Sequence, residues 1–347
     1  MKTTFRCPSN IALVKYWGKK EGGIQLPANP SISLTLSDLY AETTVEVTEP
    51  NSSGKASFEF LFNGKARQSF EPKLHEFFAR IYNDYELLQK HHLVINSTNN
   101  FPHGTGIASS AAGFGALACC VYELQQKLYP KPNNKHHEIS RIARLGSGSA
   151  CRSMYAEPAI WGKHVAFDDS CDDYAVPYLG ELAVEFENMM DAVLIVDAGE
   201  KKVSSSAGHG LLKNNPYGPA RFEEAGRHLR ELCECFKTGE VHKFIAIVES
   251  EALQLHAMMM LSNPYFILMR PNTLAIIEKI WDYREKTGTP LMFTLDAGAN
   301  VHLLFAGRYK QDVLNFIQSD LLTYCQNGEY FCSATGSAPI KIKKIKC

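Results

Sequence analysis

The stretch that most limits how this chain can fold is Asn99-Asn-Phe-Pro-His-Gly-Thr-Gly-Ile-Ala-Ser-Ser-Ala-Ala-Gly-Phe-Gly115. It leaves an apolar run, His92-Leu-Val-Ile95, that reads as a short strand. It enters a pattern in which Phe114, Leu117, Ala118, Val121, Leu124 and Leu128 recur at helical spacing. A strand, a glycine loop and a helix start together make an anion site. Glycine lets the backbone approach, its N–H groups converge, and the helix dipole adds partial positive charge. Two familiar nucleotide signatures do not fit. No lysine closes the loop as GxxxxGK[ST] requires, and Gly104-x-Gly106 is followed by Ser109 where GxGxxG needs glycine. The same residues also suit a small-residue helix start packed closely on a sheet.

A chain of 347 residues is expected to hold two domains, each with its own core. A net charge of −1 argues against a nucleic-acid surface spread over the molecule, so any anion site must come from local clusters. The ten cysteines include no C-x-x-C pair, which predicts reduced, mostly buried thiols in a cytoplasmic protein. The segment Met1 to Pro8 has no apolar core for export, and no run approaches the ~18 apolar residues of a membrane span. The expectation is a soluble, cytoplasmic protein without a membrane partner.

Along the chain, Asn10-Ile-Ala-Leu-Val-Lys-Tyr-Trp-Gly-Lys-Lys20 reads as an exposed basic-aromatic segment suited to an anion pocket. Ser31–Leu36, Thr43–Thr48 and Phe58–Phe62 alternate as strands, with Asn63-Gly64 as a hairpin turn. Pro72 opens a helix whose predicted apolar face is Leu74, Phe77, Phe78, Ile81 and Tyr85. A second Gly/Ser loop, Gly146-Ser-Gly-Ser-Ala-Cys-Arg152, ends in a guanidinium fork that suits a carboxylate or phosphate. Composition shifts over 168–190, which places the domains at 1–182 and 183–347. Beyond lie a strand at Ala192–Val196, a basic hydroxyl-rich loop at Lys201–Gly208, and an amphipathic helix from Phe222 to Phe236 that stops at Gly239. Helices over 241–260 and 271–285 follow. Then come strands at Pro290–Leu295 and up to Phe305, flanking Asp296-Ala-Gly-Ala-Asn300, a last helix over about 309–325 and a terminal strand from Pro339 to Ile345. The adjacent pairs His91-His92 and His136-His137 do not share a helix face and read as surface residues. The fold class is α+β.

Five segments carry a family resemblance. They are Asn10-Ile-Ala with Lys15-Tyr-Trp-Gly-Lys19; Asn99-Asn-Phe-Pro102 with Ile107-Ala-Ser-Ser-Ala-Ala-Gly113; Arg141-Ile-Ala-Arg144 with Gly146 to Ser153; Lys201-Lys-Val-Ser-Ser205; and Asp296-Ala-Gly-x-Asn300. In order and spacing they resemble the diphosphomevalonate decarboxylases of the GHMP superfamily of small-molecule kinases. The resemblance implies a GHMP-kinase-like two-domain fold. Its N-terminal domain would carry the phosphate loop, its C-terminal domain would be a ferredoxin-like α/β sandwich, and the active site would lie in the cleft between them.

It also implies an activity and a division of labour. ATP and magnesium would phosphorylate the tertiary hydroxyl of mevalonate diphosphate, and loss of phosphate and carbon dioxide would give isopentenyl diphosphate. Asp296 would accept or orient the hydroxyl proton, Arg152 would hold the substrate carboxylate, Asn10 would support that geometry, and Lys201 would neutralise charge during transfer. Tyr16, Lys19, Ser147, Gly148, Ser149 and Ser205 would bind the diphosphate. Ser97, Asn99, Gly104, Gly106, Ser109 and Ser110 would serve ATP, with Ser110 also touching magnesium. The family is commonly homodimeric. Departures stand at Pro102-His-Gly-Thr-Gly106, at Ser206, at His209 and at Ala299, where relatives often have Pro-Thr-Ala-Ala-Gly, arginine, methionine and proline. They bear on substrate choice among mevalonate and its phosphates. A kinase that keeps its phosphorylated product and a non-catalytic metabolite-binding regulator are the competing readings.

Overall fold

Two long antiparallel strands, β1 (Lys2–Val14) and β2 (Ser31–Pro50), form the spine of the first half. A computed structural model describes residues 1–102, 107–199, 208, 210 and 215–343 of the chain. The sequence pattern predicts separate strands at 31–36 and 43–48, whereas β2 is continuous. Its register against β1 shifts between Pro8 and Ser9, opposite Leu36 and Tyr40, so the polar residues Ser37 and Asp38 fall in a bulge. Proline has no N–H for the ladder, which makes this a natural place to break it.

The first sheet adds β3 (Ser57–Phe62), β4 (Lys65–Ala66), β5 (His91–Asn99), β6 (Ala159–Trp161) and β7 (Ala175–Pro177). Asn63 and Gly64 both have positive φ, as a two-residue hairpin turn of this type needs. One face of the sheet is covered by α1 (Glu71–Ile81), α2 (Glu86–Lys90), α3 (Ser109–Leu128) and α4 (Lys135–Gly146), which bury Phe77, Phe78, Leu117 and Ile142 against Val45, Leu93 and Ile95. Tyr85 is buried but lies beyond the end of α1, because the helix gives way at Tyr82 to a tighter turn. Its hydroxyl donates to Glu138 at 2.8 Å.

The second sheet is antiparallel, in the order β11 (Tyr330–Ala334), β8 (Met189–Leu194), β10 (Val301–Ala306), β9 (Leu291–Leu295). One face packs on α7 (Pro271–Thr287) and α8 (Lys310–Phe316) through Ile276, Ile280 and Phe316. The other meets α5 (Gly218–Thr238), α6 (Val241–Met260) and the first sheet itself, in one apolar cluster that joins Leu229 and Val248 to Met292, Leu304, Ile11, Leu13 and Leu34. That shared core fixes the two sheets against each other and sets the end of β1 beside the end of β9. Helix α5 stops at Gly239, whose φ of 76° is the left-handed conformation glycine favours.

The C-terminal end differs most from expectation. The last α-helix is only Lys310–Phe316, continuing as a wider turn over Ile317–Leu321. Strand β11 is unforeseen, because Tyr330-Phe-Cys-Ser-Ala334 does not alternate cleanly between apolar and polar. Of the expected terminal strand, residues 344 and 345 lie outside the described residues, and within the described part β12 (Ile340–Lys341) pairs with Phe5 and Arg6 of β1. The cysteines at described positions are free thiols, and burial pushes Cys119 and Cys151 up to about 12, which keeps them unreactive. Among the described residues no helix is long and apolar enough to cross a membrane.

Candidate active site

The segment after β1 is not the exposed basic run that its composition suggests. Lys15 and Trp17 are buried, and Tyr16 and Lys19 are half-buried. Lys20 is exposed, and it pairs with Asp172. The aromatics explain the difference. Tyr16 packs on Trp161 with ring centroids 4.5 Å apart, which draws the neighbouring lysines inward.

Lys15 is 2% exposed, and its Nζ donates to Asp296 Oδ1 at 3.1 Å. Asp296 stands in the turn between β9 and β10. The Asn29 side chain donates to the Lys15 carbonyl at 2.9 Å and fixes the main chain there. Burial pulls the Lys15 ammonium below the ordinary lysine range, and Asp296 only partly restores it.

Arg152 lies in the short helical run Gly148–Met154 and is also 2% exposed. Its Nε donates to Ser33 Oγ and its Nη1 to Ser31 Oγ at 2.7 Å. Ser31 and Ser33 share one face of β2, as alternate strand residues must. Both partners are neutral, and burial lowers the Arg152 pKa, with Asp296 and Tyr16 near enough to act on it through their charge. Asn10 ties β1 to the same run, donating to the Ser149 carbonyl at 3.1 Å and to Ser153 Oγ at 2.7 Å.

The two Gly/Ser loops come together. Ser110 Oγ, at the start of α3, lies 3.2 Å from Ser147 Oγ at the end of α4. Ser109 folds back to donate to the Ile107 carbonyl at 3.0 Å. Gly148 is demanded by its neighbours, since a Cβ there would sit 2.9 Å from the Tyr16 ring and 3.0 Å from Trp161. Asn99 ends β5, half-buried. Ser97 points into the core, where its hydroxyl pairs with Thr43 Oγ1 at 2.9 Å. Lys201, Ser205, Gly104 and Gly106, and with them Ser206 and His209, lie outside the described residues.

The described site is thus a cationic recess. Lys15 and Arg152 lie close enough to the Asp296 carboxylate to act on it through their charge, whereas Lys19, whose pKa burial also lowers, has Arg80 and Glu76 as its charged neighbours. Such a recess suits a multiply charged anion, and the half-open carboxylate can take a proton or orient a hydroxyl.

Comparison with known proteins identifies this arrangement. A family model described as the diphosphomevalonate decarboxylase-like N-terminal domain matches residues 7–172, and one described as the mevalonate 5-diphosphate decarboxylase C-terminal domain matches residues 192–346. The chain belongs to the diphosphomevalonate decarboxylase family. The diphosphomevalonate decarboxylase of Schizosaccharomyces pombe is 29% identical over 353 residues, spanning 98% of this chain and 86% of the relative. The crystal structure of mevalonate diphosphate decarboxylase from Staphylococcus aureus superposes with a TM-score of 0.84 at 28% identity, over 99% of this chain and 98% of that one. A structure of the protein abbreviated MDDEF, in complex with MVAPP, AMPPCP and magnesium, matches equally well, with a TM-score of 0.84 at 28% identity over 99% of both chains. The two-domain GHMP-kinase-like fold follows from these superpositions.

Within this decarboxylase fold, three residues of the site carry no role in the sequence reading. Lys15 stands inside the first family segment without one, although a lysine directly after Ile11-Ala-Leu-Val14 is a charge on the end of a buried strand. Ser31 and Ser33 stand inside a predicted strand. Their spacing of two signals a shared polar face, but nothing in the sequence says that a guanidinium lies on it.

Proposed function

We propose that this chain decarboxylates mevalonate diphosphate at the expense of ATP, giving isopentenyl diphosphate, ADP, phosphate and carbon dioxide. The observation that carries the reading is Arg152. It is a buried guanidinium anchored on two neutral serines beside the Lys15–Asp296 pair. A cation sealed in this way is costly unless an anionic ligand meets it. The similar structure that holds MVAPP, AMPPCP and magnesium supports the same ligands here.

Asp296 orients the tertiary hydroxyl and accepts its proton as the oxygen attacks the terminal phosphoryl group of ATP. Lys15 holds that carboxylate in place. Arg152 grips the substrate carboxylate by the part of its fork that faces the recess, so that the breaking carbon–carbon and carbon–oxygen bonds stay aligned as carbon dioxide and phosphate leave. Asn10 keeps the Arg152 run seated on β1. Tyr16, Lys19, Ser147, Gly148, Ser149 and Ser205 receive the diphosphate, and Lys201 neutralises charge as the phosphoryl group transfers. Asn99, Gly104, Gly106, Ser109 and Ser110 serve ATP. Ser97, paired with Thr43, would support that strand from beneath.

Among the described residues no group of three or more His, Cys, Asp or Glu could hold a metal ion. Magnesium, a hard cation that keeps waters and takes phosphate oxygens, would be held with the exposed Ser110 hydroxyl as a ligand from this chain. When bound it neutralises charge on the phosphates. The division into domains at 182/183, a homodimer and a cytoplasmic setting complete the proposal.

The test is an end-point assay with ATP, magnesium and mevalonate diphosphate that measures ADP and carbon dioxide together. Equal amounts of both are expected. ADP without carbon dioxide would make the protein a kinase, and neither product would make it a non-catalytic binder.

A further inference from the structure

Helix α6 touches both members of the Lys15–Asp296 pair, and it does so through their main chains. Glu251 is fully buried, and its Oε2 accepts the Lys15 backbone N–H at 2.8 Å. The same carboxylate is fixed by two buried residues of α5, accepting from Arg221 Nη2 at 2.5 Å and from His228 Nδ1 at 2.6 Å. Further along α6, buried His256 places Nε2 3.1 Å from the Asp296 carbonyl. A carbonyl only accepts, so Nε2 carries the hydrogen. The two contacts lie on one rigid helix, about 7.5 Å apart along its axis at 1.5 Å per residue. Lys15 arrives from the first sheet and Asp296 from the second.

We infer that Glu251 and His256 are positioning residues for the phosphoryl-transfer step, and that α6 sets the distance between Lys15 and Asp296. The inference rests on the reading of Asp296 as the group that orients the substrate hydroxyl. Its physical basis is that reacting groups must be held closely, and a misplacement of ~1 Å can cost about a hundredfold in rate. Both side chains are buried and reach the pair through its main-chain atoms. Their loss therefore acts on kcat while leaving substrate affinity in place.

His256 is the better probe, because Glu251 also balances the buried charge of Arg221. In His256→Gln the amide nitrogen can reach the position of Nε2, whereas in His256→Asn it falls short of the Asp296 carbonyl. Steady-state kinetics of ADP release should show kcat reduced about tenfold or more in His256→Asn, with KM for ATP and mevalonate diphosphate within about twofold of the unaltered chain. His256→Gln should recover to within about threefold of the unaltered chain. The loss should also largely vanish when His256→Asn is combined with Asp296→Asn, because the two changes would act on one group. Equal kcat in the Gln and Asn variants, or KM and thermal stability falling together with kcat, would overturn the inference. The Asp296→Asn variant alone separates this from the parent reading. If it is inactive while His256→Asn is fully active, only the positioning role fails. If it is active, the catalytic reading fails first.

Discussion

Lys15 and Asp296 meet at 3.1 Å although 281 positions separate them in sequence. The lysine side chain is 2% exposed and the aspartate 27%, so a nearly sealed cation faces a carboxylate that stays partly exposed. Desolvation of the ammonium outweighs what Asp296 returns to it. A pair of this kind adds little to stability, and the role proposed for Asp296 gives its placement a reason.

The first prediction concerns pH and follows from the sign of that shift. The folded-state pKa of Lys15 is below its unfolded value near 10.5. Between the two, the unfolded chain binds the extra proton, so the Lys15 contribution to stability rises with pH across that window. Activity should move the opposite way, because the ion pair dissolves as Lys15 loses its charge. Paired profiles of kcat and melting temperature should show kcat falling before the ordinary lysine range while this part of the stability improves. Lys15→Met should fold, lose at least about tenfold in kcat and no longer show the rising stability. An alkaline limb of kcat unmoved from the ordinary lysine range would contradict the assignment.

Asp296→Asn keeps the shape of the side chain and removes the base. Release of ADP and of carbon dioxide should fall together by about a hundredfold or more, the low end for acid–base catalysis. ATP should still bind. A variant that consumes ATP at the normal rate would remove Asp296 from the mechanism.

Arg152→Lys retains a charge and loses the planar fork that spans Ser31, Ser33 and the recess. Slow turnover with the fold intact is expected. Joint replacement of Ser31 and Ser33 by alanine should produce a milder version of the same defect, since it frees the guanidinium without removing it. Both can be read in kcat for carbon dioxide release, and a normal rate in Arg152→Lys would show that a point charge suffices.

Gly148→Ala tests the diphosphate end. The added methyl would press on the Tyr16 ring at 2.9 Å, so the ring must move. In the proposed reading Tyr16 contacts the diphosphate, a part of the substrate that does not change in the reaction, and such contacts govern KM more than kcat. The KM for mevalonate diphosphate should rise several-fold with that for ATP little altered. An unchanged substrate KM would place the diphosphate elsewhere.

The residues themselves determined much of this protein. The Asn63-Gly64 turn, the Pro72 helix start, the Gly239 helix stop and the α3 pattern are local decisions, made by backbone sterics and periodicity within a few residues. The five family segments likewise contain most of the candidate site. What the chain alone could not decide is how distant segments meet. The seat of Arg152 on Ser31 and Ser33 and the contact of Ser110 with Ser147 depend on how the helices pack on the first sheet, and the pairing of Lys15 with Asp296 and the grip of α6 on both depend on two sheets sharing one apolar cluster. Strand β12 returns to pair with β1 for the same kind of reason. Local propensity acts over a turn or a hairpin, whereas the desolvation that moves the pKa of Lys15 exists only once elements from both ends of the chain exclude water around it.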